Sequence, residues 1–225
     1  MAIAADVRPA TPMPRAPRIY VLAGVNGSGK SSIAGAAFRE MGGDYYNPDE
    51  VARQLREARP GLSQADANAA AWQRGFEYLN EAIERQFDFA FETTLGASSI
   101  PRALARAADA GVEIHVWYAG LVTPELHLTR VRARVQKGGH DIPEAAIRRR
   151  FEHSRMNLIT LLAKLTALRV FDNSAEADPA AGLAPRPVLV LDMARGRIRN
   201  QADLHYAPEW AKPILAAALK LGLPA

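Results

Sequence analysis

The run Arg18-Ile-Tyr-Val-Leu-Ala23 gives way to Gly24-Val-Asn-Gly-Ser-Gly-Lys-Ser31, and few eight-residue stretches restrict a fold as strongly. An apolar, strand-like segment breaks into glycines, and an amphipathic stretch resumes beyond Ser31. Glycines let successive backbone N–H groups turn inward on an anion, and a helix starting near Lys30 adds its positive end. Gly-x4-Gly-Lys-Ser between a strand and a helix is the pattern of a Walker A loop. It predicts that Gly24, Val25, Asn26, Gly27, Ser28, Gly29, Lys30, Ser31 and Ser32 enclose the phosphates of ATP. Lys30 would reach the β- and γ-phosphates and Ser31 would ligate Mg2+.

Around this loop strand-like runs alternate with helical patterns, as in βαβ units. The expectation is an α/β P-loop fold of kinase type: a five-stranded, mainly parallel sheet, helices on both faces, a mobile lid and a late β-hairpin. Strands are expected at 18–23, 44–46, 87–92, 112–118 and 168–172. Trp72, Phe76, Leu79 and Ile83 recur at helical spacing and predict one apolar face of a long helix. A second helix is expected from about Ser99 to Ala110, with Pro101 near its start and Gly111 just past its end. Thr123-Pro124-Glu125 opens a third, and Asp141-Ile-Pro-Glu144 has capping-box spacing for another. Gln136-Lys-Gly-Gly-His140 joins those two, which suggests a lid over about 130–150. The hairpin turns at Gly196, and an amphipathic helix closes the chain.

A chain of 225 residues suits one such domain over 18–225, after an Ala/Pro-rich tail at 1–17 expected to be disordered. No apolar run approaches the roughly 18 residues of a membrane span, and the N-terminus lacks the apolar block of a secretory signal. Cysteine is absent, which removes disulfides and thiolate metal sites and suits a cytoplasmic protein. The net charge is +4, yet apart from Arg148-Arg149-Arg150 the arginines are scattered, which argues against nucleic acid and suits a phosphate-rich small ligand.

A motor or transporter ATPase would show four apolar residues ending in Asp-Glu, and none occurs. The nearest acidic strand end is Phe89-Ala-Phe-Glu92, where alternation sets Phe87, Phe89 and Phe91 on one face and Glu92 on the other. Carboxyl ends of parallel strands face the ligand crevice, so Glu92, Thr93 and Thr94 would meet an acceptor, with His140 from the lid. They also suit a plain turn. In Asn47-Pro-Asp-Glu50, Asp49 is the candidate to receive or orient the acceptor's hydroxyl proton. Asn47 and Pro48 equally fit N-cap and N1, leaving Asp49 in a first turn where any acid is favoured. Arg130, Arg134, Arg148 and Arg150 flank the lid and could stabilise charge on the transferred group, and each could also be solvated. Asp172-Asn173-Ser174 would line an adenine pocket or form a turn.

Taken in order, GVNGSGKSS, NPDEVAR, FETTL, RVRARVQKGGHDIPEAAIRRRF and VFDNS resemble the zeta-toxin-like P-loop kinases, above all their small stand-alone members, over about residues 18–175. The resemblance implies ATP-dependent phosphorylation of a hydroxyl on a nucleotide sugar. The toxins proper use UDP-N-acetylglucosamine, and an antitoxin partner is conceivable. It implies Lys30 and Ser31 on phosphates and metal, Asp49 as catalytic acid/base, Glu92 and Thr94 as acceptor contacts, and Arg134 with Arg150 as lid cations. The lid departs from the larger toxins, carrying Gly-Gly-His in place of a different arginine-bearing stretch. Two alternatives stay open. A nucleoside or polynucleotide kinase would need a basic or aromatic channel leading to Asp49, and a non-catalytic ATP-dependent switch would lack a competent acid there.

Overall fold

The computed structural model describes residues 15–30, 33, 45–175 and 186–222. Strands β1 (Arg18–Ala23), β2 (Phe89–Thr93), β3 (Glu113–Gly120) and β4 (Ala167–Asp172) are parallel, and β5 (Val188–Ala194) and β6 (Arg197–Gln201) form an antiparallel hairpin. All six make one sheet in the order β2-β1-β3-β4-β5-β6. The helices are α1 (Pro48–Ala58), α2 (Gln64–Arg85), α3 (Ser99–Asp109), α4 (Pro124–Gln136), α5 (Glu144–Leu161) and α6 (Lys212–Gly222). β1 sits between β2 and β3, so the chain reverses its direction of winding there. The crevice at the carboxyl ends of those strands is where this class of sheet binds ligands.

The expected fold class holds, but the sheet has six strands where five were expected. The expected strand at 44–46 shrinks to one parallel bridge between Tyr46 and Phe91, residue 44 lying outside the described set. Tyr46 N–H donates to the Ala90 carbonyl, and its own carbonyl accepts from Glu92 N–H. Pro48 carries no N–H and starts α1 at once, which ends the pairing. At the other edge β5 pairs antiparallel with β4, so the hairpin extends the sheet. Its turn uses Arg195 (φ 49°) and Gly196 (φ 73°), as the glycine predicted. The expected tail is described only from Arg15, which pairs with Asp88, while the Pro17 carbonyl accepts from Glu113 N–H.

Strand alternation sorts the core. Ile19, Val21, Ile114, Val116, Tyr118, Leu168 and Val170 face one side and are buried with residues of α2, α3, α5 and α6. On the opposite side Leu22, Trp117 and Ala119 gather with Tyr20 and Phe171 around Ile33, and residues 34–44 beyond it lie outside the described set. Of the apolar stripe on α2, Leu79 is fully buried and Phe76 and Ile83 pack on the core. Trp72 does not: it is 42% exposed. No described helix is long and apolar enough to cross a membrane.

Side-chain caps open α1, α2 and α4, whereas Ser98 before α3 and Pro143 before α5 make none. The Asn47 side chain accepts from the N–H groups of Asp49 and Glu50, and Thr123 Oγ1 from Leu126 N–H. The capping box expected at Asp141–Glu144 does not form. α5 begins at Glu144 behind Pro143, and Asp141 Oδ1 accepts from Ile142 N–H. Ile142 is buried against Val25, Leu128 and Ile147, so tertiary packing sets the entry of the chain and the cap gives way.

Gly120 ends β3 beneath the indole of Trp210, where an added Cβ would lie 2.3 Å from a ring carbon. Trp210 is 3% exposed and donates from Nε1 to Asp172 Oδ1 at 3.0 Å. Gly120→Ala must displace the indole and its hydrogen bond, an overpacking cost of about 1–3 kcal/mol. Urea unfolding should show that loss, and an unchanged midpoint would contradict the packing.

Candidate active site

The loop after β1 is tied to the sheet on two sides. Gly24 N–H donates to the Thr93 carbonyl at the end of β2. Its φ is +142°, and a Cβ there would meet the Ala119 carbonyl oxygen of β3 at 2.3 Å, so only glycine fits between the strands. Val25 is buried among Leu128, Val131, Ile142 and Ile147 and thereby docks the loop against α4 and α5. Asn26 Oδ1 accepts from Arg150 Nη1 at 2.7 Å. Asn173, at the end of β4, donates from Nδ2 to the Ser28 carbonyl at 2.9 Å. Asn173 lines the cavity over the loop and also braces the loop, a role that neither reading offered for Asp172–Ser174 anticipated.

A second brace was missed from the sequence. His127 of α4 is 1% exposed, with Nδ1 2.8 Å from the Asn26 carbonyl oxygen. A carbonyl only accepts, so Nδ1 carries the hydrogen. Burial pushes its pKa down to about 4 against the raising effect of that bond, so the ring is neutral at pH 7. A lone histidine inside a helix gives no sequence signal for this, because its partner lies 101 residues away.

Lys30 is the first helical residue and is 8% exposed. Its ammonium donates to the Gly24 carbonyl at 2.9 Å and lies 3.4 Å from Glu92 Oε1. A buried cation curled over a glycine loop, with one carboxylate beside it, fits a triphosphate in chemistry and in place. Ser31 and Ser32 lie outside the described residues.

Asp49 sits in the first turn of α1 with its side chain 43% exposed, 3.6 Å from Arg134 Nη1 and 3.8 Å from His140 Nε2. Both contacts exceed hydrogen-bond length, so the carboxylate remains available to a hydroxyl. Arg134 donates to the His140 carbonyl across the Gly-Gly joint, where Gly138 has φ +90°. Burial lowers the Arg150 pKa, while Asp49 pulls it back up. Arg130 donates to the carbonyls of Asn173, Ser174 and Ala175. Arg148 faces outward, paired with Glu125 and Glu144.

Two cavities meet at this point. One, of about 1030 Å3, runs over the loop and is lined by Gly27, Gly29, Arg130, Arg134 and Asn173. The other, of about 370 Å3, is lined by Thr93, Thr94, Arg150 and Trp72 among others. Lys30, Asp49, Glu92 and His140 line both. Thr93 and Thr94 also serve the turn, their hydroxyls accepting from Leu95 N–H and Gly96 N–H.

Comparison with known proteins places this arrangement. The family model described as Zeta toxin matches residues 2–178. An uncharacterized protein of Haemophilus influenzae is 32% identical over 132 residues, covering 57% of this chain and 88% of that protein. Among solved structures, AvrRxo1-ORF1:ORF2 crystallised with ATP is similar at a TM-score of 0.64 and 16% identity, over 90% of this chain. This chain spans 64% of that one, just under two thirds of its length. A structure of the PezAT chromosomal toxin–antitoxin system of Streptococcus pneumoniae is similar at a TM-score of 0.57 and 15% identity, over 92% of this chain and 86% of that one. These likenesses agree with the parallel sheet and phosphate loop described above, and the chain belongs to the Zeta toxin family.

Proposed function

We propose that the chain is an ATP-dependent kinase that transfers the γ-phosphate of ATP to a hydroxyl of a small acceptor, a nucleotide sugar such as UDP-N-acetylglucosamine. One observation carries the reading: a phosphate-loop cavity and a second cavity share Lys30, Asp49, Glu92 and His140 in their linings. A triphosphate in the first would present its end to an acceptor in the second.

In this reading Lys30 holds the β- and γ-phosphates, and Arg134 offsets charge as the group moves. Asp49 accepts the hydroxyl proton or orients the oxygen, and Glu92, Thr94 and Arg150 position the acceptor. Bound Mg2+, with Ser31 as a ligand, would neutralise phosphate charge. His127, Asn173 and Arg150 keep the loop fixed, which matters because phosphoryl transfer depends on positioning more than on covalent chemistry. The AvrRxo1 and PezAT complexes support the reading for ATP and for an antitoxin-like protein partner.

Phosphorus NMR of the chain with Mg2+, ATP and UDP-N-acetylglucosamine tests it. A new phosphomonoester resonance is expected. Orthophosphate alone would remove the nucleotide-sugar assignment.

A further inference from the structure

Away from the phosphate loop, the sheet carries another cavity toward the starting ends of its parallel strands. It measures about 340 Å3, in the size range of small-molecule sites, and shares none of its described lining with the two cavities above. Alternation puts Tyr20, His115, Trp117 and Arg169 on the sheet face turned away from the main core, where Tyr20 pairs with His115 and Trp117 with Arg169. Tyr20 is the centre of an aromatic floor, its ring 5.2 Å from that of His115 and 6.1 Å from that of Trp117.

Four arginines line this cavity: Arg18, Arg169, Arg195 and Arg199. Two carboxylates answer them. Glu113 accepts from Arg18 at 2.8 Å and from Arg195 at 2.9 Å, and Asp192 lies 3.6 Å from Arg169. Arg199 has no charged partner among the described residues. It is also where the register of the hairpin slips. Met193 pairs with Ile198 and Asp192 with Asn200, so Arg199 has no opposite number in β5, and a bulge of this kind re-aims a side chain. Charge on an edge strand guards against pairing with other chains, and the exposed Arg197 already does that. Arg199 lines the cavity as well.

His115 supplies a second unmet group. Its side chain is 19% exposed, and Nε2 is buried with no hydrogen-bond partner among the described residues. Glu113 Oε2, at 3.6 Å, is too far to serve. Burial lowers the imidazole pKa against the raising effect of Glu113, so the ring is neutral at pH 7 and can carry its one hydrogen on Nε2. A buried donor without an acceptor, beside a guanidinium without a carboxylate, is a pair that a phosphate group completes.

We propose that this cavity is a separate ligand site that takes a small phosphomonoester carrying a flat ring, its phosphate held by Arg199 and His115 Nε2 and its ring lying against Tyr20. Because it shares no described residue with the phosphate-loop cavities, the proposal stands or falls independently of the kinase reading.

Calorimetric titration of the full chain, saturated with Mg2+ and a non-hydrolysable ATP analogue so that the phosphate loop is filled, tests it. The probes are AMP, ribose 5-phosphate and adenosine, against wild type, Arg199→Ala and His115→Phe. AMP should bind the saturated wild type at one site, ribose 5-phosphate more weakly and adenosine more weakly still. Loss of one charge-assisted hydrogen bond should lower AMP affinity roughly tenfold or more in Arg199→Ala. His115→Phe keeps an aromatic ring but removes the nitrogen, and a similar loss is expected. Affinity for the ATP analogue should be unchanged in both variants, which shows that they are folded. AMP that fails to bind the saturated chain, or that binds both variants as tightly as wild type because it lodges in the acceptor cavity, overturns the proposal. Ribose 5-phosphate binding as tightly as AMP overturns it too.

Discussion

Lys30→Met should lower kcat/KM by about a thousandfold or more, with weakened ATP binding, because it removes the cation at the junction of the two cavities. Lys30 is 8% exposed and its ammonium lies 3.4 Å from Glu92, so its removal leaves a largely buried carboxylate without its partner. Some thermal stability should be lost along with activity. Titration with an ATP analogue followed by steady-state turnover separates the two effects. Turnover within tenfold of wild type would mean that the triphosphate binds elsewhere.

Asp49→Asn should act differently. The side chain is 43% exposed, and its contacts to Arg134 and His140 at 3.6 and 3.8 Å are surface pairs, worth about 1 kcal/mol or less. The fold and the affinity for ATP should therefore be nearly unchanged. An amide of the same shape cannot take a proton, so kcat should fall by about a hundred- to ten-thousandfold. Retained kcat would show that Asp49 is only a first-turn residue of α1, favoured there by the helix dipole.

Much of this site was legible because it is built from local chemistry. The glycine loop, the Asn47-Pro48 start of α1 and the Arg195-Gly196 turn follow from backbone demands of a few consecutive residues. The strand ends that place Glu92, Thr93 and Thr94 in the crevice follow from alternation and from the rule for parallel sheets. What was not legible depends on tertiary partners. His127 and Asn173 hold the loop through bonds across 101 and 145 residues, and no local pattern announces them. Trp72 obeyed the helical period yet left the core, since periodicity gives the face of a helix and not where the neighbouring layer ends. Asp141 had the spacing of a cap and lost it to the burial of Ile142. Of the strand expected at 44–46, only Tyr46 pairs, and Pro48 starts α1 two residues later.

The central claim is transfer between two joined cavities, as opposed to hydrolysis or mere nucleotide binding. The most direct measurement follows γ-labelled ATP with Mg2+ and a panel of UDP-N-acetylglucosamine, other nucleotide sugars, nucleosides and short RNA. The account predicts label on a small hydroxyl-bearing acceptor, with ATP consumption that depends on that acceptor. Label that stays in ATP, or that appears only as orthophosphate at the same rate with every acceptor, would contradict it and leave an ATP-dependent switch.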